Sequence, residues 1–117
     1  HVMAAAVVVV ELDGEFDLGT VDRVDEKLGS FLPSDDIVID LRRTTFIDSV
    51  TLARLVSAAR RQSTGGGRLV LAEAGSSAVR RVLSITQLDR VLPYADTVEA
   101  AVDLLRGAPH PGAPSTT

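Results

Sequence analysis

The sequence predicts an α/β domain with a mostly parallel sheet of four to five strands and about four helices. Short β-branched apolar runs alternate along the chain with segments whose apolar residues recur every three or four positions. Strands that alternate with helices form parallel sheets through right-handed crossovers. A length of 117 residues suits one domain. We therefore expect a single domain over residues 3–106.

The first half of the chain is predicted as strand, helix and strand. Residues 7–12 form a β-branched apolar run typical of a strand, and an Asp-Gly turn or bulge lets the extended chain continue to Phe16. Apolar residues recur at helical spacing over 20–32. The continuous apolar run at 37–41 is typical of a strand covered on both faces. We interpret 42–47 as a connection.

The second helix is predicted over 49–61. Its apolar residues fall at i, i+3, i+4 and i+7, which predicts one buried stripe consisting of Leu52, Leu55, Val56 and Ala59. Three glycines follow at 65–67. They precede a strand rather than a helix and lack a following Lys-Ser or Lys-Thr, so they do not fit a phosphate-binding loop. We interpret them as a flexible connection.

The remaining elements are shorter. Residues 68–72 predict a strand, and the serines at 76–77 can cap a third helix. A short strand is expected near 90–92. Asp96 is then expected to cap the last helix, with Glu99 three residues on as its capping-box partner.

Composition excludes several classes of function. Cysteine is absent and the two histidines lie in the end segments, which argues against disulfides, a histidine triad and a metal site. The net charge of −4 disfavours nucleic-acid or anionic-membrane binding. No apolar run approaches the ~20 residues of a membrane span. Residues 107–117 are expected to be a disordered tail, and 1–2 a cloning remnant before the native Met3.

The charge is unevenly distributed. Residues 1–48 carry a net charge of −7, and residues 49–117 a net charge of +3. Solvated faces explain such a split without any function. A second interpretation is an acidic surface that meets a basic partner.

Asp48 and Ser49 stand where a loop enters the second predicted helix. Asp48 suits an N-cap, because its carboxylate can accept hydrogen bonds from the free N–H groups of the first turn. Ser49 then places its hydroxyl beside those groups. The local pattern leaves a plain capping pair and a functional Asp-Ser pair equally open.

Three motifs, in this order and spacing, resemble those of STAS domains, in particular the anti-sigma factor antagonists. The central motif is the apolar strand IVIDL with FIDS and a leucine after it, at 37–52. Upstream, LDGEFD at 12–17 resembles the family's Leu-x-Gly-Glu-Leu-Asp element. Downstream, 79–89 resembles its helix ending in a Thr-Gly-Leu turn. The resemblance covers 7–106 and implies a STAS-type fold with a short N-terminal strand.

The resemblance implies a cytoplasmic bacterial switch protein in transcription regulation, not an enzyme, and no cofactor. In that family the unphosphorylated domain binds an anti-sigma factor, a serine kinase of the GHKL ATPase type, and thereby frees a sigma factor. The kinase phosphorylates the serine after the aspartate, and a phosphatase reverses the modification. That serine corresponds to Ser49, and the matching Asp48 and Asp17 would lie beside it.

Partner contacts are predicted to extend along the second helix, because Val50, Arg54 and Arg61 lie opposite its apolar stripe. In the phosphorylation loop, Val50 replaces the family's usual Ser or Thr, and Thr51 its usual Gly. The expected partner-binding residues are therefore Asp17, Asp48, Val50, Thr51, Arg54 and Arg61.

Two alternatives stay open. One is a non-phosphorylated STAS subunit of a larger complex, such as a lipid-transport ATPase or a stress-signalling assembly. The other is a small enzyme or nucleotide-binding domain. The sheet edge left by the short N-terminus also leaves a homodimer open.

Overall fold

The computed structural model describes residues 7–85 and 92–107. Within them the strands are β1 (Val7–Glu11), β2 (Gly14–Phe16), β3 (Asp36–Asp40), β4 (Thr44–Ile47), β5 (Leu69–Ala72) and β6 (Tyr94–Ala95). The helices are α1 (Val21–Gly29), α2 (Ser49–Thr64), α3 (Ser77–Ile85) and α4 (Val98–Leu105). The predicted α/β class with four helices is confirmed.

The strands form two parallel sheets. The larger sheet has four strands in the order β1-β3-β5-β6, and the smaller sheet pairs β2 with β4. Side chains alternate between the faces of a strand. Ile37 and Ile39 therefore pack with α1, α2 and α3, whereas Val38 packs under α4. This two-sided burial is the reason for the continuous apolar run of β3.

The interpretation of 42–47 as a connection is wrong, because Thr44–Ile47 is a strand. Its partner β2 follows β1 in the chain but belongs to the other sheet. Gly14, at φ +105°, adopts a backbone conformation that side chains disfavour, and the register shifts there. A four-residue strand in a sheet of only two strands gives a weak sequence signal, and its pairing with β2 is a long-range contact.

Other elements differ from prediction at their ends. Helix α1 ends at Gly29 rather than Leu32, and α2 extends to Thr64 rather than Arg61. Ser76 caps α3 as expected, its Oγ accepting from the N–H of Ala78 at 3.1 Å.

The cap of α4 is also different, since Thr97 Oγ1 accepts from Ala100 N–H at 2.9 Å and replaces the predicted Asp96. Glu99 is consequently the second helical residue rather than the third, out of capping-box register. The carboxylate of Glu73 instead binds the Val98 N–H, at 2.9 Å. The last strand of the described residues is Tyr94–Ala95, and of the strand expected near 90–92 only Leu92 is described, which is not in a strand.

Two of the three glycines, Gly65 and Gly67, are closely packed, so the interpretation of 65–67 as a flexible connection is wrong; only Gly66 has open space around it. A methyl group at Gly65 would overlap Pro33, and one at Gly67 would overlap the carbonyl oxygen of Asp35. Gln62 completes this packing, because its buried amide donates to the carbonyls of Leu32 and Asp35, both at 2.8 Å.

The predictions for 1–2, for a strand before residue 7, for 90–91 and for the tail beyond residue 107 fall outside the described residues. None of the described helices combines the length and apolar character needed to cross a membrane.

Candidate functional site

The candidate site lies where β2 and β4 end side by side. The two strands are parallel neighbours with Phe16 opposite Ile47, and both of these side chains are buried. Because the carboxyl ends of parallel strands meet at one edge, the residues that follow them, Asp17 and Asp48, are brought together. Residues 31 positions apart in the sequence thus share one edge of the small sheet.

Asp48 connects the two segments. Its Oδ1 accepts the N–H of Thr51 at 2.9 Å, as an N-cap of α2, and its Oδ2 accepts the N–H of Leu18 at 3.0 Å. Its own N–H donates to the carbonyl of Phe16 at 3.1 Å. The Thr51 N–H above all, together with that of Leu18, holds the pKa of Asp48 below its ordinary value. The predicted cap is confirmed.

Asp17 organises the turn that precedes α1. Its Oδ1 accepts the N–H of Gly19 at 2.8 Å, and its N–H donates to Thr20 Oγ1 at 2.9 Å. The side chain of Thr20 in turn donates to the carbonyl of Glu15 at 3.2 Å. These local bonds hold the turn beside the start of α2, and Asp17 itself is half-buried.

Ser49 is the first residue of α2 and is exposed. The N-terminus of a helix carries free N–H groups and a partial positive charge, which favour a negative group. The hydroxyl of Ser49 is therefore accessible at a position that tolerates a phosphate. Its role as the phosphoacceptor stays a prediction.

Val50 and Thr51 differ in their surroundings. Val50 is half-buried, whereas Thr51 is 0 % exposed. The side chain of Thr51 therefore does not reach the surface, so the predicted direct contact with a partner does not fit this residue. Its direct contribution to the site is the backbone N–H that it donates to Asp48.

Arg54 and Arg61 are turned toward α1 instead of forming one surface with Ser49. Arg54 pairs with Asp25, and Arg61 Nη2 donates to the carbonyl of Leu28 at 2.9 Å, near the end of α1. They border a groove of about 320 Å³ lined by Asp25, Leu28, Gly29, Arg54, Ser57, Ala58 and Arg61. Arg61 lies 12 residues beyond Ser49, or roughly 18 Å along a helix.

The turn that leads into β4 is held by a buried carboxylate. Asp40 is 1 % exposed and accepts from Arg42 Nε at 3.1 Å and Nη2 at 2.8 Å. Burial alone would raise the pKa of Asp40, but the side-chain and backbone hydrogen bonds from Arg42 outweigh it and hold that pKa below its ordinary value. This pair orients the start of the loop that delivers β4 to the site.

Sequence reasoning missed two apolar side chains at the site, Leu18 and Phe46. They are 71 % and 44 % exposed. Leu18 stands in the turn whose N–H reaches Asp48, and Phe46 lies opposite Glu15 on the outer face of the small sheet. The position of Leu18 between Asp17 and Gly19, two residue types common in turns, was the sequence feature that could have indicated its exposure. Phe46 gave none while 42–47 was interpreted as a connection, because a connection has no inner and outer face.

The chain belongs to the STAS domain family, since the model of that family matches residues 4–101. Solved structures agree with this assignment. An anti-sigma factor antagonist from Mycobacterium paratuberculosis is 27% identical, with a TM-score of 0.72 over 85% of this chain and 86% of that chain. The anti-sigma factor antagonist SpoIIAA in its unphosphorylated form is 26% identical, with a TM-score of 0.72 over 94% of this chain and 96% of that one.

The same fold occurs in another setting. A sulfate transporter family protein from Wolinella succinogenes is 20% identical, with a TM-score of 0.71 over 86% of this chain and 84% of that chain. At this identity the likeness shows the fold alone. The choice between a free regulator and a domain of a transporter therefore depends on the site.

Proposed function

We propose that this chain is an anti-sigma factor antagonist that binds a GHKL-type serine kinase, frees a sigma factor, and is switched off by phosphorylation of Ser49. The observation that carries the proposal is the exposed Ser49 at the start of α2, directly after the capping carboxylate of Asp48. The two antagonists of similar structure and length support the role. We expect a cytoplasmic binding protein without enzymatic activity or cofactor.

Phosphorylation of Ser49 is expected to act on the partner surface rather than on the fold. A phosphate adds a charge of about −1.5 to −2 at pH 7, and a helix N-terminus accommodates that charge. The Thr51 N–H is already taken by Asp48, so the phosphate meets a carboxylate as well as the helix end. The added negative charge and bulk therefore stand where the kinase would dock.

The loss of binding energy that such a switch requires is modest. A loss of about 2 to 3 kcal/mol at the interface lowers affinity by roughly 30- to 150-fold. Such a change is enough for a switch and leaves the domain folded. A phosphatase would restore binding by removing the phosphate.

The test is the intact mass of the protein after incubation with ATP and each candidate anti-sigma kinase. We expect the gain of one phosphate in the wild type and in Ser57→Ala, and none in Ser49→Ala. Ser57 is a matched control because it is also exposed on α2. The phosphorylated protein should lose its affinity for the kinase.

A stable kinase complex without phosphate transfer would contradict the switch. It would favour the alternative, a non-phosphorylated STAS subunit of a larger assembly. In that case Val50 and Thr51 would be the residues to replace by the Ser or Thr and the Gly of the family.

A further inference from the structure

We propose that the surface around Ser49 docks a cationic, pocketed face of the partner protein, with Leu18 and Phe46 as two apolar anchors. The inference rests on the proposed function and adds to it the chemistry of the surface that the antagonist recognises. It also moves the main contacts away from Arg54 and Arg61, which face α1.

The pairing of β2 with β4 places both anchors near the start of α2. Leu18 is tied to Asp48 by its N–H, and Phe46 precedes Asp48 by two residues, so both flank the start of α2. The exposed fraction of Leu18, 71 %, is the largest of any big apolar side chain in the described part of the chain. Large apolar side chains that stay exposed in one place mark binding sites, and buried apolar anchors contribute much of the affinity of protein interfaces.

The rim of this surface is acidic. Glu15 lies opposite Phe46 and is exposed, and the carboxylates of Asp17 and Asp48 lie beside Leu18. Within residues 7–85 and 92–107, no cation forms an ion pair with any of these three carboxylates. Asp17 and Asp48 accept hydrogen bonds from backbone N–H groups, which leave the negative charge in place.

The negative charge of the rim indicates which kind of partner fits this surface. A second copy docking through the same surface would place these carboxylates against their own equivalents, which is unfavourable. A partner with lysines or arginines around an apolar pocket would instead neutralise them. It would also be sensitive to a phosphate on Ser49, because that phosphate competes for the same cations and blocks the approach to the anchors.

The experiment compares the affinity of the cognate anti-sigma kinase for the wild type and for Leu18→Ala, Phe46→Ala and Leu32→Ala. Leu32 is the matched control, because it is a loop leucine with 64 % exposure. It lies beside Gln62, roughly 20 Å along α2 from Ser49. We expect a loss of at least about tenfold for each anchor variant and less than about twofold for Leu32→Ala.

A second measurement tests the charge. The association rate of the wild type should fall as salt is added, and that dependence should weaken in Glu15→Gln. The Glu15→Gln variant keeps the proposed surface testable even if Phe46→Ala perturbs β4. Far-UV circular dichroism on every variant identifies any loss of structure.

The outcomes separate the two proposals. If the wild type binds and is phosphorylated at Ser49 but both anchor variants bind equally well, the docking surface is refuted and the proposed function stands. Self-association that is lost in Leu18→Ala would also refute it in favour of a homodimer. If the wild type binds no anti-sigma kinase, the proposed function fails and this inference fails with it.

Discussion

Replacing Thr44 with valine should destabilise the domain measurably, although the shape of the side chain hardly changes. Thr44 is 1 % exposed, and its Oγ1 donates to the carbonyl of Leu12 at 2.6 Å. This bond ties the start of β4 to the segment between β1 and β2. Valine keeps the volume but removes the donor, so the carbonyl of Leu12 loses its partner in the interior.

The magnitude follows from the type of bond that is lost. A buried acceptor left without a donor costs about 1–3 kcal/mol, and we expect about 1–2 kcal/mol for this neutral bond. The control is Thr45→Val, because Thr45 is the next residue of the same strand and is exposed. That control should change stability by less than about 0.5 kcal/mol.

Urea denaturation followed by far-UV circular dichroism measures this difference, since the chain has no tryptophan to serve as a fluorescence probe. A slope of about 2 kcal/mol per molar urea converts the expected loss into a midpoint shift of roughly 0.5–1 M. Identical midpoints for Thr44→Val and Thr45→Val would refute the reasoning. They would mean that the Leu12 carbonyl finds another donor or is not buried in solution.

Three further predictions follow. Gly67→Ala should cost about 1–3 kcal/mol in thermal or urea unfolding, because the added methyl overlaps the Asp35 carbonyl. Gly29→Ala, which has open space, should not be destabilising. When the free energy of unfolding is measured by urea denaturation at a series of pH values, it should fall less steeply on the acid side in Asp48→Asn than in the wild type. The pKa of Asp48 is lowered in the folded state, so its contribution to the free energy of unfolding is present above the unfolded-state pKa. That contribution is lost as the pH falls through the folded-state pKa. A fall on the acid side as steep as that of the wild type contradicts this prediction. Arg54→Glu should leave kinase binding essentially unchanged and the domain folded, because Arg54 pairs with Asp25 of α1 and both side chains are partly exposed; a clear loss of affinity would place this helix face in the interface.

Local patterns were sufficient to predict most elements of the fold. The buried β3, the start of α2 and its Asp48 cap follow from residues within one or two turns of each other, where periodicity and capping act. The phosphorylation hypothesis for Ser49 has the same origin, with the family resemblance added. The limits of α1 and α4 were predicted less accurately, because neighbouring residues compete to cap a helix. At α4, Thr97 and Glu73 accept the free N–H groups instead of Asp96.

Contacts between distant segments could not be inferred from local patterns, and only the family resemblance implied that Asp17 and Asp48 lie beside Ser49. The pairing of β2 with β4 brings Asp17 to Asp48 and gives Phe46 an outer face. The packing of Gly67 against Asp35 turns an apparent flexible connection into a close-packed corner. Helical spacing alone did not show that Arg54 turns to Asp25 or that Thr51 is buried. Repeating patterns record which side of an element is apolar, whereas the partner of each side depends on how the elements pack together.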